Sequence, residues 1–508
     1  MTGRVGRIAR RPAVSLLVAG LVLAGLGVTA DLTAPAPEPA AATVPTPADA
    51  RPAVEVARAD AACPDPAVDD RTASRVTVAA PGATGPDAAG GAAAPGRAGL
   101  AKLTGVPLPE ADVTAPGTGS VLATAGQGPL VARGTGGSAP GMAAGMLTRS
   151  TADAMRGLAG TVCAVPGTDF WFVGSGAVVG QRGRVYLTNP EAAPAVVDVT
   201  LYGPDGPIDA PAGRGVPVDA GTQVVRLLDA LAPGVTRFAV HVHARSGRIA
   251  AAVRDQQVDG LTPRGADWLP PAAAPASRQV LPGVAAGPGE RLLQVVAPGD
   301  SDAIVKIRLI TDSGSFAPTG LDVLEVPAGS VAQVDLAPAT DAAAAAVSLD
   351  ADVPVTAGVV SRTTGSTGQL TDIAYTASAL PLLPATPGVV TDARTGTGVT
   401  SSLLLTAPGA EATVRLAPLP PATGTTSEVK VPAGSQVVVD LATVSTATDF
   451  ALTVIPLPGS GPVLAARSVA EAETAGPMLT TEPVEPGRYT VVVPRVVADL
   501  SAGLRPGG

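Results

Sequence analysis

The chain has 508 residues, a formal net charge of −9, 46% hydrophobic residues and only 2% aromatics. That length holds roughly three to five domains, and the shortage of aromatics means that cores are built from Val, Leu and Ala, each burying modest area. The acidic balance argues against nucleic acid or anionic lipid as a partner, because phosphate binding needs clustered cations.

Arg4, Arg7, Arg10 and Arg11 precede an uncharged run from Pro12 to Ala30. A positive flank followed by an apolar stretch marks residues 1–30 as a signal peptide or an N-terminal membrane anchor. The arginines put the N-terminus inside and the bulk outside. Both forms stay open: Val28-Thr-Ala30 suits a signal peptidase, and the run just reaches spanning length. Arg10-Arg11 leads straight into Pro12, which favours the general secretory route. Residues 31–62 are rich in Pro and Ala and read as a disordered spacer.

Beyond the spacer the sequence repeats itself with a period of about 108 residues, that of a domain rather than of a solenoid. A strand-like run ending in Pro recurs as Val76–Pro81, Val185–Pro190, Leu293–Pro298 and Leu403–Pro408. A small-residue run ending in Arg recurs at Arg149, Arg254, Arg362 and Arg467. Between them stands Val326-Pro-Ala-Gly-Ser330, matched by Val431-Pro-Ala-Gly-Ser435 and loosely by Val218-Asp-Ala-Gly-Thr222. These cues divide the chain into units 63–178, 179–285, 286–392 and 393–508.

Alternation within the units is that of half-buried strands. Val197, Val199 and Leu201 point inward in the second unit, Val305, Ile307 and Leu309 in the third, and Ala412, Val414 and Leu416 in the fourth. Few stretches show a helical period, and Met142 to Gly160 is the best of them. About seven short strands per unit predict an all-β chain of tandem immunoglobulin-like antiparallel β-sandwiches. Each unit is expected to bury its own core and to fold alone, the third (Ala286 to Pro387) most clearly.

Cys63 and Cys163 are the only cysteines. Outside the cytoplasm such a pair reads as one disulfide closing a long loop across the first unit. Gly174-Ser-Gly-Ala-Val-Val with Tyr186-Leu-Thr-Asn189 resembles the first-barrel signature of trypsin-like periplasmic proteases. Pro190-Glu-Ala192 stands where that family needs its histidine, and no nucleophile motif follows, so no triad can be assembled.

His241 and His243 are the only histidines. On a strand, residues two apart share a face, so they are weak candidates for a metal pair, with Asp255 or Asp219 as a third ligand. A solvated strand face is the plainer reading, and no metal or other cofactor is expected. Phe170-Trp-Phe172 is the densest aromatic cluster, and Trp268 stands at a comparable junction between units. Trp171 and Trp268 are therefore candidates for a ligand or partner contact, against a plainer role as junction filler. No spacing singles out a catalytic pair among the 43 acids, and no catalytic residue is assigned.

The Arg-rich start with its apolar run, Cys63-Pro-Asp-Pro66, Phe170-Trp-Phe-Val-Gly174, Leu187-Thr-Asn-Pro190 and the Val-Pro-Ala-Gly-Ser turns are together similar to an actinobacterial family of exported or membrane-anchored proteins with a domain of unknown function. The resemblance covers most of the chain after about residue 60. It implies location and lineage and brings no reaction. The scarcity of Lys and Asn likewise suits a high-GC bacterium. The expected function is a non-enzymatic cell-envelope protein, secreted or membrane-held, that partners an envelope protein or a glycan during assembly. The alternative is a carbohydrate-binding or glycan-hydrolysing module.

Overall fold

The structure is a computed structural model that describes residues 53–65, 72–82, 94–124, 128–151 and 153–492. The apolar start, most of the spacer and residues 493–508 lie outside these. Among the described residues no helix is long and apolar enough to cross a membrane.

The chain is all-β, as the alternation predicts. After the short β1 (Ala53–Glu55), the first unit comprises β2 (Arg58–Cys63), β3 (Thr72–Ala80), β4 (Gly96–Lys102), β5 (Pro107–Val113), β6 (Thr118–Thr124), β7 (Leu130–Gly136), β8 (Ala143–Ser150) and β9 (Gly157–Val162). The second comprises β10 (Asp169–Ser175), β11 (Gln181–Asn189), β12 (Ala195–Gly203), β13 (Gly206–Ile208), β14 (Val216–Val218), β15 (Thr222–Leu227), β16 (Phe238–Ser246), β17 (Ala250–Asp259) and β18 (Thr262–Leu269). The third comprises β19 (Ala276–Val284), β20 (Arg291–Ala297), β21 (Ala303–Thr311), β22 (Gly314–Phe316), β23 (Val323–Val326), β24 (Ser330–Asp335), β25 (Ala345–Arg362) and β26 (Ile373–Ala377). The fourth comprises β27 (Gly388–Arg394), β28 (Val399–Ala407), β29 (Ala412–Pro418), β30 (Ser427–Val431), β31 (Ser435–Asp440), β32 (Asp449–Pro456), β33 (Leu464–Glu471) and β34 (Met478–Pro483), and β35 (Thr490–Val492) follows.

The first unit sets the pattern, with sheets β2-β7-β4-β5 and β6-β3-β8-β9. The fourth repeats it as β27-β32-β29-β30 and β31-β28-β33-β34. The second does so with its fourth strand split into β13 and β14. In the third, β25 is a single 18-residue strand whose first half serves one sheet and whose second half serves the other. Each pair of sheets encloses its own apolar cluster, and the inward residues are those that the alternation selected: Val197, Val199 and Leu201, then Val305, Ile307 and Leu309, then Ala412, Val414 and Leu416.

Several expectations need correction. The span Met142 to Gly160 is not helical: it forms β8, a single 3-10 turn and the start of β9. Residues 58–62 of the expected spacer form β2, which pairs with β7 inside the first sandwich. The first strand of each later unit (β10, β19, β27) lies ahead of the Pro-terminated run that served as the repeat cue. A segment from Ala286 to Pro387 therefore omits β19, which pairs along β25. An eighth strand also closes each unit, and it changes the meaning of the repeat.

These closing strands, β9, β18, β26 and β34, pack on one another in a cycle, first on second, second on third, third on fourth and fourth on first. Apolar clusters seal the junctions: Ala62, Leu103 and Val131 with Ala250; Trp171, Val173 and Ala239 with Val296, Val331 and Ala377; Ala285 and Ala374 with Leu479; Leu147 and Leu158 with Val469 and Met478. Residues 54–491 accordingly form one compact body. The ends of this body meet where the Val56 amide donates to the Tyr489 carbonyl at 3.0 Å.

Candidate functional site

Two polar clusters stand out, one buried on the axis of the ring and one on the outer sheet of the second unit. On the axis, each closing strand is the edge of its sheet, so every second N–H points away from the ladder. Two carboxylates satisfy those donors. Asp267, on β18, accepts from the Gly160 amide at 3.0 Å, from its neighbour Trp268 at 2.8 Å and from the Thr480 hydroxyl at 3.1 Å. Asp372, just before β26, accepts from the amides of Leu158 at 3.2 Å, Leu479 at 3.0 Å and Ile373 at 2.9 Å. Each aspartate thus joins its own unit to the first and the fourth. Arg156 completes the cross-links from the other side, donating to the carbonyls of Thr371 and Gly476.

Both aspartates are fully buried. Burial pushes the Asp372 carboxyl up to about 7, against the pull of its three amide donors and of Arg156. Burial likewise raises Asp267 well above the usual carboxylate range. Close by, Arg467 is buried between Asp392 and Glu482. Burial, and then the proximity of Asp392, lifts Glu482 to about 8, and Asp392 is raised too. One guanidinium stands against two buried carboxylates, which favours the protonated form of the pair. A Cβ on Gly160 would stand 2.6 Å from the Arg467 guanidinium, so a larger residue there would have to displace that side chain.

The recurring arginines find their explanation in this centre. They lie on the strands that pair with the closing strands, opposite Leu158, Trp268, Ile373 and Glu482. Arg149 reaches Glu471 and Glu473 of the fourth unit, and Arg362 reaches Gln257 of the second. Arg254 lies over the Trp268 ring, 5.3 Å from its centroid.

The disulfide joins Cys63 to Cys163, as the cysteine count implies, and both sulfurs lie in the core of the first unit. Trp268 is 1% exposed and packs with Tyr186 on that same core. Trp171 is 5% exposed and lies in the junction between the second and third units. Both tryptophans face inward, which is the filler role. Phe172 occupies the core of the second unit, with Phe170 packed against it.

His241 and His243 share the outer face of β16. Neither Asp255 nor Asp219 joins them. Asp255 is buried where the second unit meets the third, accepting from Tyr375 of the third unit at 2.5 Å and from Gln181 at 2.8 Å. The acid beside the histidines is Asp169, which pairs in register with His243. Its Oδ2 lies 2.8 Å from His241 Nε2 and 3.4 Å from His243 Nδ1. Its Oδ1 accepts from the Trp171 indole N–H at 3.1 Å. The Trp171 ring stacks on His241 at 4.1 Å between centroids and 9° between planes. Sequence spacing missed Asp169 because it comes from a strand 72 residues away. Its place just before Phe170-Trp-Phe172 was the available signal.

Residues 113–427 match the profile of a family of unknown function, DUF5719, and the chain belongs to that family. The match contains the second and third units whole, with parts of the first and fourth. No curated protein and no solved structure matches the chain.

Proposed function

We propose that this protein is a non-enzymatic scaffold of a bacterial cell envelope, exported by its Arg-rich apolar start and either kept at the membrane by that segment or released. The lineage that suits its composition is actinobacterial. The observation that carries the reading is the use of the buried charges. Asp267, Asp372 and Arg156 use their bonds to hold the four sandwiches together, and Arg467 ties strands within the fourth. A disulfide in the first unit suits an oxidising exterior. A rigid ring of this kind presents fixed surfaces to an envelope protein or a glycan.

The glycan-binding or glycan-hydrolysing alternative relied on tryptophan stacking, and the inward placement of Trp171 and Trp268 weakens it. Crosslinking in the intact source envelope, followed by mass spectrometry of the captured partners, tests the scaffold reading. Reproducible capture of one envelope component by the full chain supports it. Recovery of the chain in the cytoplasm, or glycan turnover by the purified chain, overturns it.

A further inference from the structure

The outer sheets of the first three units can be compared position by position. Ala62 and Trp171 make equivalent bridges to Ala164 and Ala272, and Val280 accepts from Ala379 in the same way. Counting from these anchors, the place of Asp169 is taken by Asp60 in the first unit and by Arg278 in the third. The place of His243 is taken by Arg133 and by Asp350. In both of those units the pair is an ordinary ion pair, Arg133 with Asp60 at 3.4 Å and Arg278 with Asp350 at 3.2 Å. The second unit alone of these three has a carboxylate facing two imidazoles where its counterparts have a carboxylate facing an arginine.

We propose that Asp169, His241 and His243 bind one first-row divalent cation of borderline softness, of the Zn2+ class, with the remaining coordination positions open to solvent. The three ligand atoms lie within 4.8 Å of one another. Ligands about 2.0–2.1 Å from a tetrahedral ion are about 3.3 Å apart, so small ring rotations suffice to take up a cation. Two imidazoles and one carboxylate favour zinc, copper, nickel or iron over magnesium or calcium.

The set is also oriented in advance. The Trp171 indole donates to the far oxygen of Asp169 and turns Oδ2 toward the histidines, while its ring fixes the plane of His241. This is the work of an outer shell around metal ligands. Trp171 is itself held in the junction with the third unit and is stacked against Tyr202. The nearby Asp198 is committed to the Gly215 amide at 2.7 Å and to Arg245, so it does not compete for the cation.

The test is isothermal titration of Zn2+ into the untagged full chain after chelator treatment, with imidazole NMR as a second readout. His241 and His243 are the only histidines, so their signals are unambiguous. The expected result is saturable binding of one ion per chain, with both histidine signals shifted. His243→Ala and Asp169→Asn, both on exposed positions, weaken binding by about tenfold or more and leave the circular dichroism unchanged. No saturable binding up to about 1 mM Zn2+, or undiminished affinity in His243→Ala, would leave only a hydrogen-bonded His–Asp cluster and overturn the proposal.

Discussion

The axis of the ring and the outer sheet of the second unit are both polar clusters built around aspartate, and they differ in what each aspartate faces. On the axis, Asp267 and Asp372 face backbone amides of other units and are sealed from water. On the outer sheet, Asp169 faces two imidazoles and is half exposed. A buried carboxylate that accepts several N–H bonds is a structural joint, and its removal leaves donors with nothing to accept them. An exposed carboxylate beside imidazoles contributes little to folding and stays available to a ligand. Substitution should therefore destabilise the protein strongly in the first place and leave its stability nearly unchanged in the second.

The largest effect belongs to the axis. Asp372→Ala leaves three buried amides without an acceptor and should cost roughly 3–6 kcal/mol, measured by denaturant unfolding. Asp267→Ala should act in the same direction more weakly, because it leaves the Trp268 amide and the Thr480 hydroxyl without an acceptor while the Gly160 amide keeps the Thr480 oxygen at 3.1 Å. A cost below about 1 kcal/mol for either would mean that water substitutes for the carboxylate and that the joint is not dry.

Next comes the disulfide. It closes a loop of 100 residues in the first unit, whose core is rich in alanine. The double variant Cys63→Ala, Cys163→Ala should lose about 2–5 kcal/mol. If the ring closes as described, the loss should lower the single transition of the whole body instead of creating a separate early step.

The axis also gives a pH dependence of unusual sign. Asp372 and Glu482 have folded values of about 7 and about 8, above those of ordinary carboxyls near 4. Between these limits the folded state holds protons that the unfolded chain has released. Stability is therefore greatest at the acid end of that window and falls as pH rises from about 4 through about 8. Acidification from pH 8 to pH 5 should strengthen the fold by on the order of 2–4 kcal/mol, seen as a rise of a few degrees in Tm. A Tm that falls over that range would show that the exposed ion pairs outweigh the axis. The smallest effect is that of His243→Ala on stability, under about 0.5 kcal/mol.

How much of this the sequence carried depends on the range of the interaction. Strand alternation is local, so Val197, Val199 and Leu201 declared their faces at once. The cysteine pair followed from count and compartment. The repeating arginines were visible as a pattern, while their purpose was not, because Arg149 meets its partners 322 and 324 residues away. The closing strands carry no local mark of their role, since nothing local tells an edge capped by a distant aspartate from an edge facing water. The same distance hid Asp169 from the histidines. The β-sandwich was therefore readable one unit at a time, and the ring and the three-ligand cluster were not.

The central claim is that side chains from two units hold the free edges of the other two, so that four sandwiches behave as one body. Native-state hydrogen exchange at the amides of Leu158, Gly160 and Leu479 tests it most directly. These N–H groups point away from their own sheets and are met by Asp372, Asp267 and Asp372 in turn. They should exchange only through global unfolding, as slowly as the central ladder amides of Val185 and Leu403. Exchange at rates near those of an open strand edge, with the ladders still protected, would contradict it and return the chain to four sandwiches merely strung together.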